Sequence, residues 1–301
     1  MFKSIFREIS HLLRYTDIDM SCSYKSVGVN NNGDITKKID QDCESIFIKH
    51  LKKNKLNIIG YISEETESII FMEDVVTHQG EDVFIVAFDP LDGSDNYISN
   101  INTGSIYGVY RYDSNKNSLL DIVESGYCLY GIKSIMVQTK DNSVLMSYLT
   151  DNGLFHDNTT IHFDLIEKRK KIYSINASRE YDPEIRFILN QYKSKKYNTR
   201  WVGTLVADAH RILLNDGIFY YPSRDEKPSG KIRMLYESIP MAYIFKLAGG
   251  VGLCSYSMNI LDRINTIDLN NPHICSPIIL ASNKEHSHLL EILENYELNK
   301  H

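Results

Sequence analysis

Cysteine is scarce in this 301-residue chain and badly placed for cross-links. There are five, Cys22, Cys43, Cys128, Cys254 and Cys275, odd in number, scattered, and without C-x-x-C spacing. That pattern argues against a disulfide framework or a zinc site and for a reducing compartment. A basic excess is missing too: 33 Lys and Arg face 39 Asp and Glu, a formal charge of −6. With no basic block, the electrostatic footprint of a nucleic-acid binder is lacking. The two local basic runs, Lys37-Lys38 and Lys168-Arg169-Lys170-Lys171, read as a loop and a solvated face. The N-terminal Met1–Glu8 stretch interleaves charges with apolar residues, which suits neither a signal peptide nor a membrane span. The C-terminal Leu298-Asn299-Lys300-His301 is no peroxisomal address. Repeats and low-complexity segments are absent. The expectation is a cytoplasmic protein that binds neither membrane nor nucleic acid.

What is present is 43% hydrophobic residues, enough for one large domain or two packed subdomains. Phe2, Ile5, Phe6, Ile9, Leu12 and Leu13 recur at helical spacing and predict an amphipathic helix over 2–14 that packs on the core. Its polar face lacks the basic richness of a membrane-surface helix. Asn30–Asp34 reads as a mobile turn. A second helix follows, with Ile39, Cys43, Ile46, Phe47 and His50 on one face and Asp40 at its start, where a carboxylate suits the helix dipole. Ile58–Ile62 is a short strand ending in Ser63-Glu64-Glu65, and strand-like text resumes at 104–112, 123–138 and 142–149. From about residue 165 the texture shifts to α/β alternation. Asp182-Pro183-Glu184 opens one helix and Thr204–Asn215 forms another, with Gly217 beyond its end. His210 within it reads as a satisfied helix histidine, since no second His or Cys has ligand spacing around it. Ile218–Tyr221 is a strand, Pro240–Leu247 a helix, and Ser282-Asn283-Lys284-Glu285 a capping box that opens the last helix.

The chemistry concentrates in Phe88-Asp89-Pro90-Leu91-Asp92-Gly93-Ser94-Asp95-Asn96. The apolar run Val83–Phe88 reads as a buried strand ended by Pro90. Pro90 stiffens the bend between Asp89 and Asp92, Gly93 lets a ligand approach the backbone, and Ser94, Asp95 and Asn96 are good N-cap residues. Two carboxylates beside free backbone N–H groups suit a hard divalent cation with a phosphate next to it. An ordinary β-turn with a capping Asp is the plainer alternative.

Asp-Pro-Leu-Asp-Gly-Ser resembles the signature of the lithium-sensitive, metal-dependent sugar and inositol phosphatases. The wider text is similar to one branch, the class I fructose-1,6-bisphosphatases. The similarity runs through Ser63-Glu64-Glu65, Gly104–Arg111, Ile172–Asn176, Val202–Arg211, Gly217–Pro222 and Gly230–Glu237, from about Gly33 to the C-terminus. It implies a layered αβαβα fold of mixed α/β class, built of two αβ subdomains, 1–165 with the metal motifs and 166–301 with the sugar and distal-phosphate site. It implies a Mg²⁺-dependent (or Mn²⁺-dependent) phosphatase with two or three ions per site, acting on a small sugar bisphosphate as a homotetramer. The implied metal ligands are Glu64, Asp89, Asp92, Glu237 and the Leu91 carbonyl. Glu64, Glu65 and Asp40 form the implied catalytic set, the last two positioning and deprotonating water. Gly93 and Ser94 would hold the reacting phosphate. Asn176, Tyr221, Lys231, Arg233 and Arg200, the last from a neighbouring subunit, would hold the rest of the substrate.

Three positions depart from that family's pattern. Trp201 and Arg179 stand where tyrosine hydroxyls usually bind the distal phosphate, and Asp95 stands where serine is usual. Arg179 can compensate for a lost hydroxyl, and sedoheptulose 1,7-bisphosphate becomes an alternative substrate. A catalytically dead, binding-only relative is the reading from another class. The resemblance also implies no AMP inhibition here: Val83 and Phe84 replace a Lys-Tyr pair, and the phosphate-gripping start of an earlier helix is lacking.

Overall fold

The computed structural model describes residues 1–16, 26–29, 35–53, 57–73, 75, 81–176, 179–224 and 227–298. The turn expected at Asn30–Asp34 lies outside them. Helix α1 (Phe2–Tyr15) buries Phe2, Ile5, Phe6 and Ile9, as its apolar spacing demands. A two-stranded ribbon, β1 (Ser26–Val29) and β2 (Ile35–Lys37), leads into α2 (Lys38–Lys53). Lys37 and Lys38 are therefore not a loop: one ends a strand and the other begins a helix.

The large sheet holds β3 (Ile58–Ser63), β4 (Ile70–Phe71), β5 (Val83–Asp92), β6 (Thr103–Asp113), β7 (Ser118–Tyr130), β8 (Ile135–Lys140), β9 (Ser143–Leu149) and β10 (Phe155–Ile161). Their order is β10-β9-β8-β7-β6-β5-β3-β4. Only β3 and β5 run parallel; every other neighbouring pair is antiparallel. The text at 123–138 splits into two strands around Gly131–Ser134. Strand β10 was not expected, because its polar His156–Thr160 text shows no apolar alternation and it lies at the sheet edge. Nor does β5 stop at Pro90. It runs on to Asp92, with a register shift against β6 between Asp89 and Asp92. A proline fits such a bulge, where no ladder N–H is needed.

The second half adds β11 (Ile172–Ser174), α3 (Pro183–Ser194), β12 (Asn198–Thr199), α4 (Leu205–Asn215), β13 (Ile218–Tyr221), β14 (Ile232–Arg233), α5 (Ile239–Leu247), β15 (Gly250–Leu253), β16 (Cys275–Ser276), β17 (Ile278–Ser282) and α6 (Asn283–Leu298). Five of the strands form a smaller sheet, β12-β11-β13-β17-β15, and β14 pairs with β16.

Side-chain alternation stacks these parts into five layers. In β5, Val86 and Phe88 face α1 and α2, where Phe47 stacks on Phe88 with ring centroids 4.3 Å apart. Ile85 and Ala87 face the opposite way, into a core shared with Val206 and Ile212 of α4, Phe245 of α5, and Phe219 and Leu280 of the small sheet. The far side of that sheet, Ile218, Tyr220 and Ile279, packs on Ile188 of α3 and Leu289 and Ile292 of α6. The order is thus αβαβα, a mixed α/β fold as expected. His210 is the satisfied core histidine expected of it, with Nδ1 2.8 Å from the Tyr127 hydroxyl. Burial lowers its pKa to about 4.

Candidate active site

The end of β5 carries Asp89 and Asp92 into a position covered by α4 and by the helical turn Met234–Ser238. Asp89 Oδ1 accepts the Leu91 N–H at 3.0 Å, which folds the bend back on itself. Asp92 Oδ2 accepts the Val206 N–H at 2.7 Å, in the first turn of α4, where the dipole favours an anion. Glu237 Oε2 accepts the Arg233 N–H at 2.6 Å. These bonds bring oxygens of Asp89, Asp92 and Glu237 within 4.8 Å of one another, with all three residues buried.

Three carboxylates cannot all stay ionised so close together without a cation. Burial, then repulsion from Glu64, Asp92 and Glu237, lifts Asp89 far above the usual carboxylate range. Burial lifts Asp92 to about 7, against the pull of backbone N–H groups. Burial also lifts Glu237 to about 7, with the Arg233 cation opposing and Asp92 assisting. An oxygen-only set of this kind fits a hard divalent ion, and such an ion would supply the missing positive charge.

Glu64 follows β3, where its N–H donates to the Phe88 carbonyl at 3.2 Å. Its Oε1 lies 3.7 Å from Arg233 Nη2, so Arg233 bridges the Glu64 and Glu237 sides of the site. Gly93 has φ +75°, and a Cβ there would sit 2.3 Å from Thr204 Oγ1, so glycine is required twice over. Beyond it Ser94 opens a short helical turn. Asp40, at the start of α2, is buried and accepts the Lys37 N–H at 2.9 Å. Burial raises it to about 6, the Lys37 N–H opposes, and Glu65 adds repulsion. Asp40, Glu65 and Ser94 therefore gather on one side of the carboxylates.

Two nearby residues escape a sequence reading. Lys37 is buried, and its Nζ reaches Ser94 Oγ at 3.3 Å and the Asp95 carboxylate. The charge that Asp95 adds beside the site is thus offset by a lysine 58 positions earlier. Glu44, one turn on from Asp40, has a buried Oε1 without a hydrogen-bond partner, and burial followed by Glu65 repulsion raises its pKa. The i, i+4 spacing from Asp40 was the available signal for Glu44; for Lys37 there was none, because the ribbon places it.

The remaining expected residues lie at separate points of the second half of the chain. Lys231 precedes β14, and its positive charge is one of the minor influences opposing the rise in the Glu237 pKa. Trp201 stacks on Phe219 at 6.3 Å and lies 6.1 Å from the Tyr221 ring, an apolar indole at the position where the family pattern usually has a tyrosine. The Asn176 carbonyl accepts from Tyr181 Oη at 3.0 Å and from the Arg179 N–H at 3.2 Å. Arg200 lies apart, directly after the edge strand β12, in a basic concavity with Lys170, Lys171 and Arg211. No helix among the described residues is long and apolar enough to cross a membrane.

A five-layered αβαβα fold whose buried, oxygen-only carboxylates sit beside a glycine–serine turn defines a metal-dependent phosphoric monoester hydrolase. Comparison with known proteins narrows this. Residues 2–159 match "Fructose-1-6-bisphosphatase, N-terminal domain" and 166–294 match "Fructose-1-6-bisphosphatase, C-terminal domain". The class 1 fructose-1,6-bisphosphatase of Persephonella marina is 34% identical over 280 residues, 88% of this chain and 82% of that one. The fructose-1,6-bisphosphatase 1 of Mus musculus is 32% identical over 283 residues, 89% and 80% of the two chains. The holo crystal structure of Leishmania major fructose-1,6-bisphosphatase superimposes with a TM-score of 0.84 at 29% identity, covering 97% of this chain and 92% of that one. The chain belongs to the fructose-1,6-bisphosphatase family, whose members require a divalent metal ion.

Proposed function

We propose that this protein removes the 1-phosphate of fructose 1,6-bisphosphate with Mg²⁺, two or three ions per site, with Mn²⁺ able to substitute. The reading is carried by the convergence of Asp89, Asp92 and Glu237 beside Ser94, with Asp40 and Glu65 on the adjoining side. When bound, the ions would neutralise charge on the phosphoryl oxygens. Glu64, Asp89, Asp92, Glu237 and the Leu91 carbonyl would hold them. Glu65 and Asp40 orient the attacking water and take its proton, a role suited to a carboxylate lifted to about 6. Ser94 Oγ and backbone N–H groups around Gly93 bind the reacting phosphate, with the Lys37 ammonium behind Ser94. Lys231, Asn176, Tyr221 and Arg179 bind the sugar and the far phosphate, Arg233 steadies the carboxylates, and Trp201 supplies an apolar wall. Arg200 would complete the far-phosphate site of a neighbouring subunit in a cytoplasmic homotetramer. The two subdomains divide at 165/166, between the last strand of the large sheet and the first of the small one.

Phosphate release from fructose 1,6-bisphosphate under Mg²⁺ titration tests this reading. Saturable, metal-dependent turnover is expected, with Asp89→Asn lowering it by about a thousandfold. Lys231→Ala should raise KM for the bisphosphate far more than for a monophosphate. AMP should not inhibit, because Val83 and Phe84 offer a nucleotide neither charge nor hydroxyl. The lost tyrosine hydroxyl at Trp201 makes sedoheptulose 1,7-bisphosphate the second substrate to assay. Turnover of that sugar alone would overturn the substrate assignment, and no turnover of either would leave a binding-only relative.

A further inference from the structure

Two segments far apart in the chain present glutamates to the site, and His273 lies between them. One is the turn Ser63–Thr66, which closes β3 and carries Glu64 and Glu65. It is tightly folded: the Ser63 N–H donates to Thr66 Oγ1 at 3.0 Å, the Glu65 N–H to Ser63 Oγ at 3.2 Å, and the Thr66 N–H to the Ser63 carbonyl at 3.3 Å. The other is the helical turn Met234–Ser238, which carries Glu237. Tyr236, fully buried, immediately precedes that carboxylate.

The imidazole touches both. Its Nε2 lies 2.7 Å from the Thr66 carbonyl oxygen and its Nδ1 2.8 Å from the Tyr236 hydroxyl. A carbonyl oxygen only accepts, so Nε2 carries the proton and donates it to Thr66. In the neutral ring Nδ1 is then an acceptor, and the Tyr236 hydroxyl donates to it. Burial favours that neutral ring by lowering its pKa. The backbone of His273 is anchored on the Glu237 side. It stands two residues before β16, where Cys275 pairs with Arg233, and the Met234 N–H donates to the Ile274 carbonyl at 2.9 Å. From that anchor Nε2 reaches across to the Glu64–Glu65 turn. Arg233 spans the same gap to Glu64 Oε1, but at 3.7 Å, beyond hydrogen-bond distance. Of the two links, the imidazole makes the closer contacts.

We infer that His273 is a positioning residue for the hydrolytic site: with Tyr236 it fixes the spacing between the Glu64–Glu65 turn and Glu237. The inference rests on the roles proposed for those three glutamates. Glu64 and Glu237 serve one metal centre only at a set separation, and Glu65 orients water only if its turn is held. A displacement of about 1 Å in such a set costs on the order of a hundredfold in rate. The far phosphate is assigned to side chains that do not touch the imidazole. The link therefore acts on metal affinity and turnover and leaves substrate affinity alone.

The whole protein is compared with His273→Ala, His273→Gln and Tyr236→Phe, each shown by its melting curve to be folded. Calorimetric titration with Mn²⁺ reads metal affinity, and kcat and KM for fructose 1,6-bisphosphate are taken at saturating metal. His273→Ala should weaken Mn²⁺ binding about tenfold or more, the scale on which groups supporting metal ligands act. Its kcat should fall by a similar factor while KM stays within about twofold. Glutamine keeps a donor near the Nε2 position, so His273→Gln should recover part of both losses. Tyr236→Phe should lose about threefold or more, the scale of one hydrogen bond, and should add less than about twofold to His273→Ala. Removing one oxygen, it also keeps the test open if the alanine variant does not fold. Wild-type Mn²⁺ affinity and kcat in folded His273→Ala would overturn the inference, as would a loss confined to KM or losses that simply add. An unaltered protein that hydrolyses no sugar bisphosphate would sink the functional reading instead, and the Mn²⁺ titrations, which need no substrate, would then decide the role of His273.

Discussion

Lys37 shows how one side chain can take a charge from the surface into the site. Its side chain is 6% exposed, while that of its partner Asp95 is 90% exposed. The ammonium is thus enclosed behind Ser94 and tethered from outside. A buried cation near a reacting phosphate stabilises the charge that develops there, whereas an open carboxylate contributes little beyond tethering. Lys37→Met should lower kcat/KM about tenfold or more, the cost of one charge-assisted contact. Asp95→Ser, the residue usual in the family, should change it less than about threefold. Steady-state kinetics on both variants decide this, and equal losses would mean that Asp95 acts on the substrate directly.

Between elements, the fit of β6 against α4 fixes the clustered carboxylates. Gly104 pairs with Asp92 across the ladder, and a Cβ at 104 would lie 2.7 Å from the Val206 side chain. Val206 is the residue whose N–H holds Asp92. Gly104→Ala must push the start of α4 away. It should cost about 1–3 kcal/mol of stability, and activity should fall further than unfolding explains. Full activity in the folded fraction would show that the Val206 bond to Asp92 is dispensable. Helix starts are less demanding. Asp182 makes no side-chain cap despite its favourable sequence, and the Ser282 box is only half formed. Ser282 Oγ accepts the Glu285 N–H at 3.2 Å, but the Glu285 carboxylate turns to the Tyr197 hydroxyl instead.

For the molecule as a whole, the buried carboxylates tie stability to metal and pH. Asp92 and Glu237 have ordinary values of 3.8 and 4.5 and stand at about 7 in the folded chain. Raised acids stabilise the fold while protonated, so that stability is present below about pH 4 and is lost as pH rises through about 7. His210 acts with the opposite sign, between about 4 and 6.5, so the range above 6.5 isolates the carboxylates. Metal-free protein should therefore melt at lower temperature as pH rises from about 6.5 to about 8. Asp92→Asn should flatten that slope, and saturating Mg²⁺ should remove it. Melting curves in chelator across this range are the measurement; a flat or rising metal-free profile would refute it.

The order of helices and strands was legible in the sequence wherever burial imposes a period, as in α1, α2 and Val83–Phe88. So were Asp89 and Asp92, because Pro90 and Gly93 mark their bend locally. Strand β10 was not legible, since an edge strand needs no apolar alternation, and Pro90 could not reveal that β5 continues past it through a bulge. The roles of Glu64, Glu237, Asp40 and Lys231 came only through family resemblance, as nothing local distinguishes them from solvated charges. Tertiary structure alone decided that Asp89, Asp92 and Glu237 share one buried volume and that Lys37 faces Asp95. It alone also joined Thr66 to Tyr236 through His273. Each of these facts joins residues far apart in the chain through packing of separate layers, and charge interactions depend on distance in space, which no local pattern encodes.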